Sequence, residues 1–460
     1  MATRVGHSAA AEPLRLHPDN PHYFLFRGEP TVIIGSGEHY GAVLNLDFDY
    51  VKYLDTLRRD GMNHTRLFVG PYCEADTSFN IVRNTLAPAA GRFACPWARS
   101  DVPGYANGGN KFDLTRWDEA FFARLRDFVA QAGERGVIVE VNLFCPYYGE
   151  PMWALSPFNP NNNVNDLGPV ERTEVFRLDG HAGLLAIQEQ MVRKVVAELA
   201  EFDNLYYEIM NEPYAREVPA DWQRHIAAAI ADAQSDGPRH LISQNIANHQ
   251  AQVTDPDPNV SILNFHYAWP PTTVGLNYAL GRAIGDNETG FKGTAGFPYR
   301  REAWAFMIAG GGLFSHLDYS FTVGHEDGSF ELPEKQPGGG GPSLRRQLRV
   351  LADFLRGFDF VRMAPLPEAI TGDLPQGLHA FVLAEAGRQY AVYLCHEEPR
   401  PNAVSAELLL ELPAGTYTLA WLNTLTGETE GGERLEHEGG ALRLVSPPFP
   451  EDLALEVMGA

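Results

Sequence analysis

Read only for the spacing of apolar and polar positions, the first 360 residues switch repeatedly between two periods. Short apolar runs that bury both faces of a strand occur at Thr31–Ile34, His64–Val69, Val137–Phe144, Tyr206–Met210, His240–Asn245, Ser261–Tyr267, Arg282–Glu288 and Leu313–Tyr319. Between them, apolar residues recur every three to four positions. Tyr50, Val51, Leu54 and Leu57 predict a helix from Asp49 to Arg59 that stops at Gly61. Phe121, Leu125, Phe128 and Ala132 mark a second helix over 115–135, and Leu184, Met191, Val195 and Leu199 a third over 182–201. Trp222 to Ala233, the stretch around Trp304 and Ile308, and Leu344 to Leu355 continue the series. Strands alternating with helices eight times predict an α/β fold of the (β/α)₈ kind, a TIM barrel.

The period changes after about residue 361. Ala380–Leu383, Tyr390–Leu394, Glu407–Leu410, Tyr417–Trp421 and Leu442–Val445 are short runs separated by turn residues, the pattern of a C-terminal antiparallel β-sandwich. The expected division is 1–25 for N-terminal strands packing on the sandwich, 26–360 for the barrel and 361–460 for the sandwich. Two long segments, 71–112 and 145–180, read as functional loops at a barrel mouth. The glycine run Gly338–Gly341 lacks the Lys-Ser/Thr of a phosphate loop and is expected to be a hinge.

Charge changes the picture in one respect. A net charge of -23 repels phosphate backbones, so a nucleic-acid partner is not expected. No apolar run is long enough to span a bilayer. Met1–Ala11 lacks an apolar segment of signal-peptide length, which points to the cytoplasm, or to secretion where a leader has been cleaved away. Cys73, Cys95, Cys145 and Cys395 show no Cys-x-x-Cys spacing and read as free thiols, with a Cys73–Cys95 bond as the alternative. Oligomeric state is not legible.

The strand exits carry the chemistry. In a closed barrel they converge on one face, which gathers Glu38, His39, Arg66, Asn142, Asn211, Glu212, Asn245, His266, Tyr267, Glu288, His316 and Asp318. Glu212 follows the fourth run and Glu288 ends the seventh, so two carboxylates can face each other across the mouth. Such a pair serves glycoside hydrolysis, one group protonating the leaving oxygen while the other attacks or activates water. Pro213 is expected to bias Glu212 toward extended backbone. The histidines lack metal-site spacing, so no metal and no cofactor are expected. Trp97, Trp153 and Trp269 lie in loops, where they either stack on sugar rings or fill the core.

These motifs resemble clan A of the glycoside hydrolases, the barrel enzymes that include family 5 cellulases and mannanases. Asn211-Glu212-Pro213 matches the signature of the fourth strand, and Gly61-Met62-Asn63-His64-Thr65-Arg66 that of the second. His266-Tyr267 matches the sixth strand, and Glu288 in Gly-Asp-Asn-Glu-Thr-Gly the seventh. The resemblance covers roughly residues 25–360. It implies Glu212 as acid/base, Glu288 as nucleophile, Arg66 and Tyr267 as the groups holding Glu288 ionised, and Asn211 as the partner of a sugar 2-hydroxyl. Glu38, His39, Asn142, His266, His316, Asp318 and Trp269 are expected to contact substrate. Two departures are visible: His316, Asp318 and Tyr319 stand where the family commonly has a tryptophan, and adjacent His266 and Tyr267 cannot both face inward from a regular strand. The expected activity is retaining hydrolysis of β-linked glycosides or oligosaccharides, from chain ends because the long loops wall the mouth. An endo-acting glucanase or mannanase with an open cleft and a non-catalytic carbohydrate-binding protein are the alternatives.

Overall fold

In the computed structural model, which describes residues 12–460, eight parallel strands close into a barrel in chain order. They are Ile33–Gly37, His64–Phe68, Ile138–Asn142, Leu205–Glu208, Ile242–Asn248, Ile262–His266, Ala283–Glu288 and Leu313–Leu317, the eighth pairing with the first. Helices cross back outside them. Asp49 accepts a hydrogen bond from the Lys52 N–H at the start of helix Tyr50–Asp60, and Gly61, with φ 81°, ends it as a left-handed cap. Asp118 caps helix Glu119–Glu134, which starts four residues later than the periodicity suggested, because Thr115–Trp117 belong to a strand. Met1–Ala11, read above for a leader segment, lie outside the described residues. Among the described residues no helix is long and apolar enough to cross a membrane.

The N-terminal strands do not join the sandwich. Arg15–Leu16, Phe24–Phe26 and Glu29–Thr31 form a separate antiparallel sheet. Leu14 and Phe24 pack on Ile33, Ile138, Tyr206, Ile262, Ala283 and Leu313, residues at or near the starts of six of the eight barrel strands. These strands therefore plug the bottom of the barrel, away from the strand exits.

Segment 71–112 is more regular than its composition suggests. Trp97–Pro103 pairs with Asn110–Trp117 as a β-ribbon beside the mouth. Trp97 is fully buried between Trp117 and Phe158, so it fills the core and does not meet substrate. The glycine run is not a hinge. A Cβ on Gly338 would stand 1.8 Å from the Gly290 carbonyl oxygen, and one on Gly340 1.9 Å from the Asp318 carboxylate. Glycine is needed here because the chain passes directly over the tops of the last two strands.

Beyond the last barrel helix, Pro342–Arg356, two antiparallel sheets face each other. A six-stranded sheet runs in the order Ala364–Pro365, Leu378–Glu385, Gln389–His396, Asp452–Gly459, Gly415–Leu422 and Thr429–His437. A three-stranded one holds Ile370–Thr371, Glu407–Leu412 and Gly440–Val445. Leu408, Leu410 and Leu412 meet Val392, Leu394, Leu455 and Val457 between the sheets, which makes a β-sandwich. The other side of the large sheet covers helix Phe297–Ile308. That helix is buried almost all round, with Trp304 stacked on Tyr393 and Arg300 bonded to Asp452 at 2.8 Å. All four cysteines are buried free thiols.

Candidate active site

The centre of the strand exits is a single buried guanidinium. Arg66, on the second strand, donates to Glu140 at 2.6 Å, Glu208 at 2.8 Å, Glu288 at 3.1 Å and the Asn211 side-chain oxygen at 3.0 Å. The Tyr40 ring lies under it, 4.4 Å from centroid to guanidinium carbon. Tyr206 and Asn287 donate to Glu140, while Asn142, Asn264 and Asn287 donate to Glu208. Buried carboxylates are costly unless paired and hydrogen-bonded in this way. Burial alone would raise Glu140, but Arg66 and His64 outweigh it and hold the carboxyl below its usual range.

Glu288 ends the seventh strand with four groups converging on it. Tyr40 donates to its Oε2 at 2.7 Å beside Arg66, and Tyr267 to its Oε1 at 2.5 Å, with His266 Nδ1 3.5 Å away. Burial again pushes upward. His266, Arg66, Tyr267 and Tyr40 together outweigh it and bring Glu288 down to about 2, so it is an anion at neutral pH.

Glu212 lies beyond the fourth strand on a backbone that Pro213 does not extend. Its φ is +38° and ψ 52°, the left-handed region, which corrects the expectation of extended geometry. The Glu212 N–H bonded to Asn245 at 2.9 Å and the turn Pro213–Arg216 beyond it fix that conformation. Strain of this kind concentrates at functional sites. Tyr148 donates to Glu212 Oε2 at 2.6 Å, and His266 Nδ1 lies 3.0 Å from Oε1. One donor atom each from Glu212, His266 and Glu288 falls within 4.8 Å of the others. Burial would lower His266, but the two glutamates raise it above its ordinary value.

His266 and Tyr267 both face the site despite being adjacent. The ladder slips between Phe265 and His266, and Tyr267 has φ 54°, so the chain leaves the strand and turns the second ring inward.

A cavity of about 390 Å³ opens above these groups, lined by Glu212, Glu288, Asn211, Tyr267 and His39 among the expected residues. Arg66, Asn142 and His266 lie beneath it. Four expected contacts stand elsewhere. Glu38 accepts from the N–H groups of Gly41 and Ala42 and from the Thr85 hydroxyl, so it holds the loop after the first strand, and burial pushes it up to about 7. His316 bonds to Thr289 behind the seventh strand, where burial lowers it to about 4. Asp318 pairs with Arg345 at 2.6 Å and caps Ser320 and Gly341. Trp269 lies under Arg301 against His379 and Phe381 of the sandwich. Each is held by a closer partner than the cavity offers. Trp153 packs on Tyr147 and is also buried.

Sequence reading missed Tyr40, Glu74, Phe79, Tyr148, His249, Phe291 and Lys292, on loops around the cavity, and Asn248 at the end of the fifth strand. It also missed the role of Glu140 and Glu208, although charged residues inside apolar strand runs are a usable signal. The Glu212, His266 and Glu288 donor set would suit a cation by distance. Both Glu288 oxygens, however, already accept from Arg66, Tyr40 and Tyr267, and the adjacent guanidinium repels a second positive charge.

Among known proteins, the barrel and sandwich together are similar to a candidate glycoside hydrolase from Bacteroides vulgatus ATCC 8482, with TM-score 0.68, 14% identity, 98% of this chain and 83% of that one. A glycoside hydrolase family 5 structure from the same organism aligns at TM-score 0.65 and 13% identity, over 97% of this chain and 93% of that one. A family 5 mannosidase from Rhizomucor miehei aligns at 0.50 and 13%, over 76% and 100% respectively. No curated protein sequence matches. The profile for cellulase, glycosyl hydrolase family 5, matches residues 49–278, the span that carries Arg66, Asn211, Glu212 and His266. Half the chain lies under that profile, and the chain belongs to glycosyl hydrolase family 5.

Proposed function

We propose that the chain hydrolyses β-linked glycosides with retention of configuration, releasing sugar from chain ends. The observation that carries this reading is the pair of oxygens from Glu212 and Glu288 within 4.8 Å. Retaining enzymes hold their carboxyl groups about 5–5.5 Å apart, whereas inverting enzymes need roughly 6.5–9.5 Å to admit a water. The electrostatics divide the labour. Glu288, held ionised by Arg66, Tyr40 and Tyr267, attacks the anomeric carbon as the bond to the leaving oxygen breaks. Glu212 gives that oxygen a proton, then takes one from the water that attacks the glycosyl-enzyme ester. His266 touches both glutamates and carries charge compensation between them.

Action at chain ends is supported by the cavity's modest size, near the lower end of the roughly 300–1,000 Å³ typical of ligand pockets. The loop carrying Glu74 and Phe79 and the loop carrying Tyr148 wall it in. The test is the anomer first released from an aryl β-glycoside, followed by proton NMR. A β-anomer as first product is expected, and an α-anomer would overturn the double displacement. Incubation with a 2-deoxy-2-fluoro aryl glycoside should in addition leave a glycosyl mass on Glu288.

A further inference from the structure

We propose that Glu74, together with His39, forms the closed end of the cavity and selects a single terminal sugar unit through its hydroxyl groups. This rests on the glycosidase reading above. The direction of the substrate follows from the chemistry. Glu212 protonates the leaving oxygen, so the leaving group lies on its side, beside Tyr214 and Asn248, which are bonded to each other at 2.6 Å. The sugar being transferred must then extend the other way, past Glu288 and its partner Tyr40. The residue before Tyr40 is His39, and the wall facing it is Glu74.

Glu74 is an unusual wall. It is only 3% exposed, yet each oxygen has one neutral donor, the Tyr72 hydroxyl at 3.0 Å and the Asn84 amide at 2.5 Å. Among the described residues no lysine or arginine lies within 4.0 Å of it, and His39 Nε2 is 3.9 Å away. A buried carboxylate without a cation is expensive unless more donors reach it, and Glu74 borders the cavity. Asn84 arranges the partner as well. Its oxygen accepts from the Leu86 N–H at 2.9 Å and lies 3.0 Å from His39 Nδ1, which places the ring proton on Nδ1 and leaves Nε2 for a ligand.

The loop that delivers Asn84 is strained. Thr77, Phe79, Asn80 and Arg83 all have φ between 55° and 69°, in the left-handed region, a conformation that persists where the surroundings over-determine it. Two acceptors on a fixed frame suit neighbouring hydroxyls of a neutral hexose. The same frame repels a uronic acid.

The experiment compares kcat/KM for aryl β-hexopyranosides with their 3-, 4- and 6-deoxy analogues, in wild type and Glu74→Gln. Losing a hydrogen bond to a charged group is worth roughly 10- to 100-fold. Glu74→Gln is expected to lose that much on the parent glycoside. It should lose less than about 3-fold on the analogue that lacks the hydroxyl Glu74 accepts. Equal losses on the parent and on every analogue overturn the proposal. Glu74→Asp, which keeps the charge but retracts it, must show the same selective loss if Glu74→Gln does not fold. A wild type that cleaves none of these glycosides would fell the glycosidase reading alone. The corresponding free hexoses, titrated by calorimetry into wild type and Glu74→Gln, then decide Glu74 by themselves. Weaker binding to the variant supports it, and equal binding overturns it.

Discussion

The Tyr267 hydroxyl donates to Glu288 at 2.5 Å from the residue immediately after His266, whose ring meets Glu212 at 3.0 Å. One irregular step in the sixth strand thus serves both carboxylates. Removing the hydroxyl in Tyr267→Phe takes away a charge-assisted hydrogen bond worth about 1.5–3 kcal/mol, which corresponds to a rise of roughly 1–2 units in Glu288. Wild-type Glu288 titrates at about 2, so its protonation should not limit kcat/KM above pH 4. In the variant the acid limb of the kcat/KM profile should move upward by that amount. An unmoved limb would remove Tyr267 from the control of the nucleophile.

The pH dependence of stability has two sides. Glu288 is depressed on folding, so its interactions stabilise the protein above the ordinary carboxylate value and are lost as pH falls from about 4.5 toward 2. His266 is raised, so its contribution is complete below about 6.5 and disappears as pH rises through the folded value. The thermal stability of wild type should therefore fall on the alkaline side. His266→Gln, which has no proton to lose, should flatten that slope; an identical slope would show that another group governs it.

Arg66 holds three carboxylates with one cation, and no other side chain could do so. Arg66→Met leaves Glu140 and Glu288 buried without their counter-charge, which should cost about 3–5 kcal/mol by urea unfolding, or prevent folding. Arg66→Lys should recover little of this, because a point charge on a flexible stem cannot replace a planar fork with three separate partners. A lysine variant of wild-type stability would mean that the network tolerates a single contact.

Much of the barrel was legible because its signal is carried by period alone. Val139, Val141, Leu205, Tyr207, Leu263 and Phe265 are buried from sheet to helix layer, and a strand hidden on both faces has few ways to look polar. Glu212 and Glu288 were visible as charged residues where apolar runs end, and Arg66 as a charge inside one. The polar groups of the eighth strand were misread for the same reason. His316 and Asp318 also stand at a run's end, but Tyr299 and Arg345 approach from helices that strand spacing does not reveal. The cavity walls were invisible in detail, since Glu74, Phe79 and Tyr148 are placed by loops, Phe79 itself with φ 55°, and not by any repeat.

The sandwich should be inseparable from the barrel. Leu383, Ala391, Tyr393, Cys395, Leu422 and Ala454 belong to the same continuous core as the barrel helices. Arg300 is buried with Asp452 and with Glu451, at 2.6 Å. Truncation after about residue 360 would expose Trp304 and the uncompensated Arg300 at once. The truncated chain is expected in the insoluble fraction on expression, and a soluble, fully active truncation would refute this coupling.

The two glutamates should separate by the kind of rescue they accept. Glu288 forms a bond to carbon, and no neighbouring side chain can supply another positioned carboxylate. Glu288→Ala should lose nearly all turnover, and azide, filling the vacated space, should attack the anomeric carbon directly and give a product of inverted configuration. Glu212 supplies a proton that a dinitrophenolate leaving group does not need. Glu212→Ala should still glycosylate Glu288 from a dinitrophenyl glycoside, then stall because water lacks a base. Azide needs no base, so it should release that intermediate as a glycosyl azide of retained configuration. The assay is the anomeric coupling constant of each glycosyl azide. An inverted product from Glu212→Ala with a retained one from Glu288→Ala would exchange the roles, and undiminished turnover in both variants would move the chemistry away from the Arg66 centre altogether.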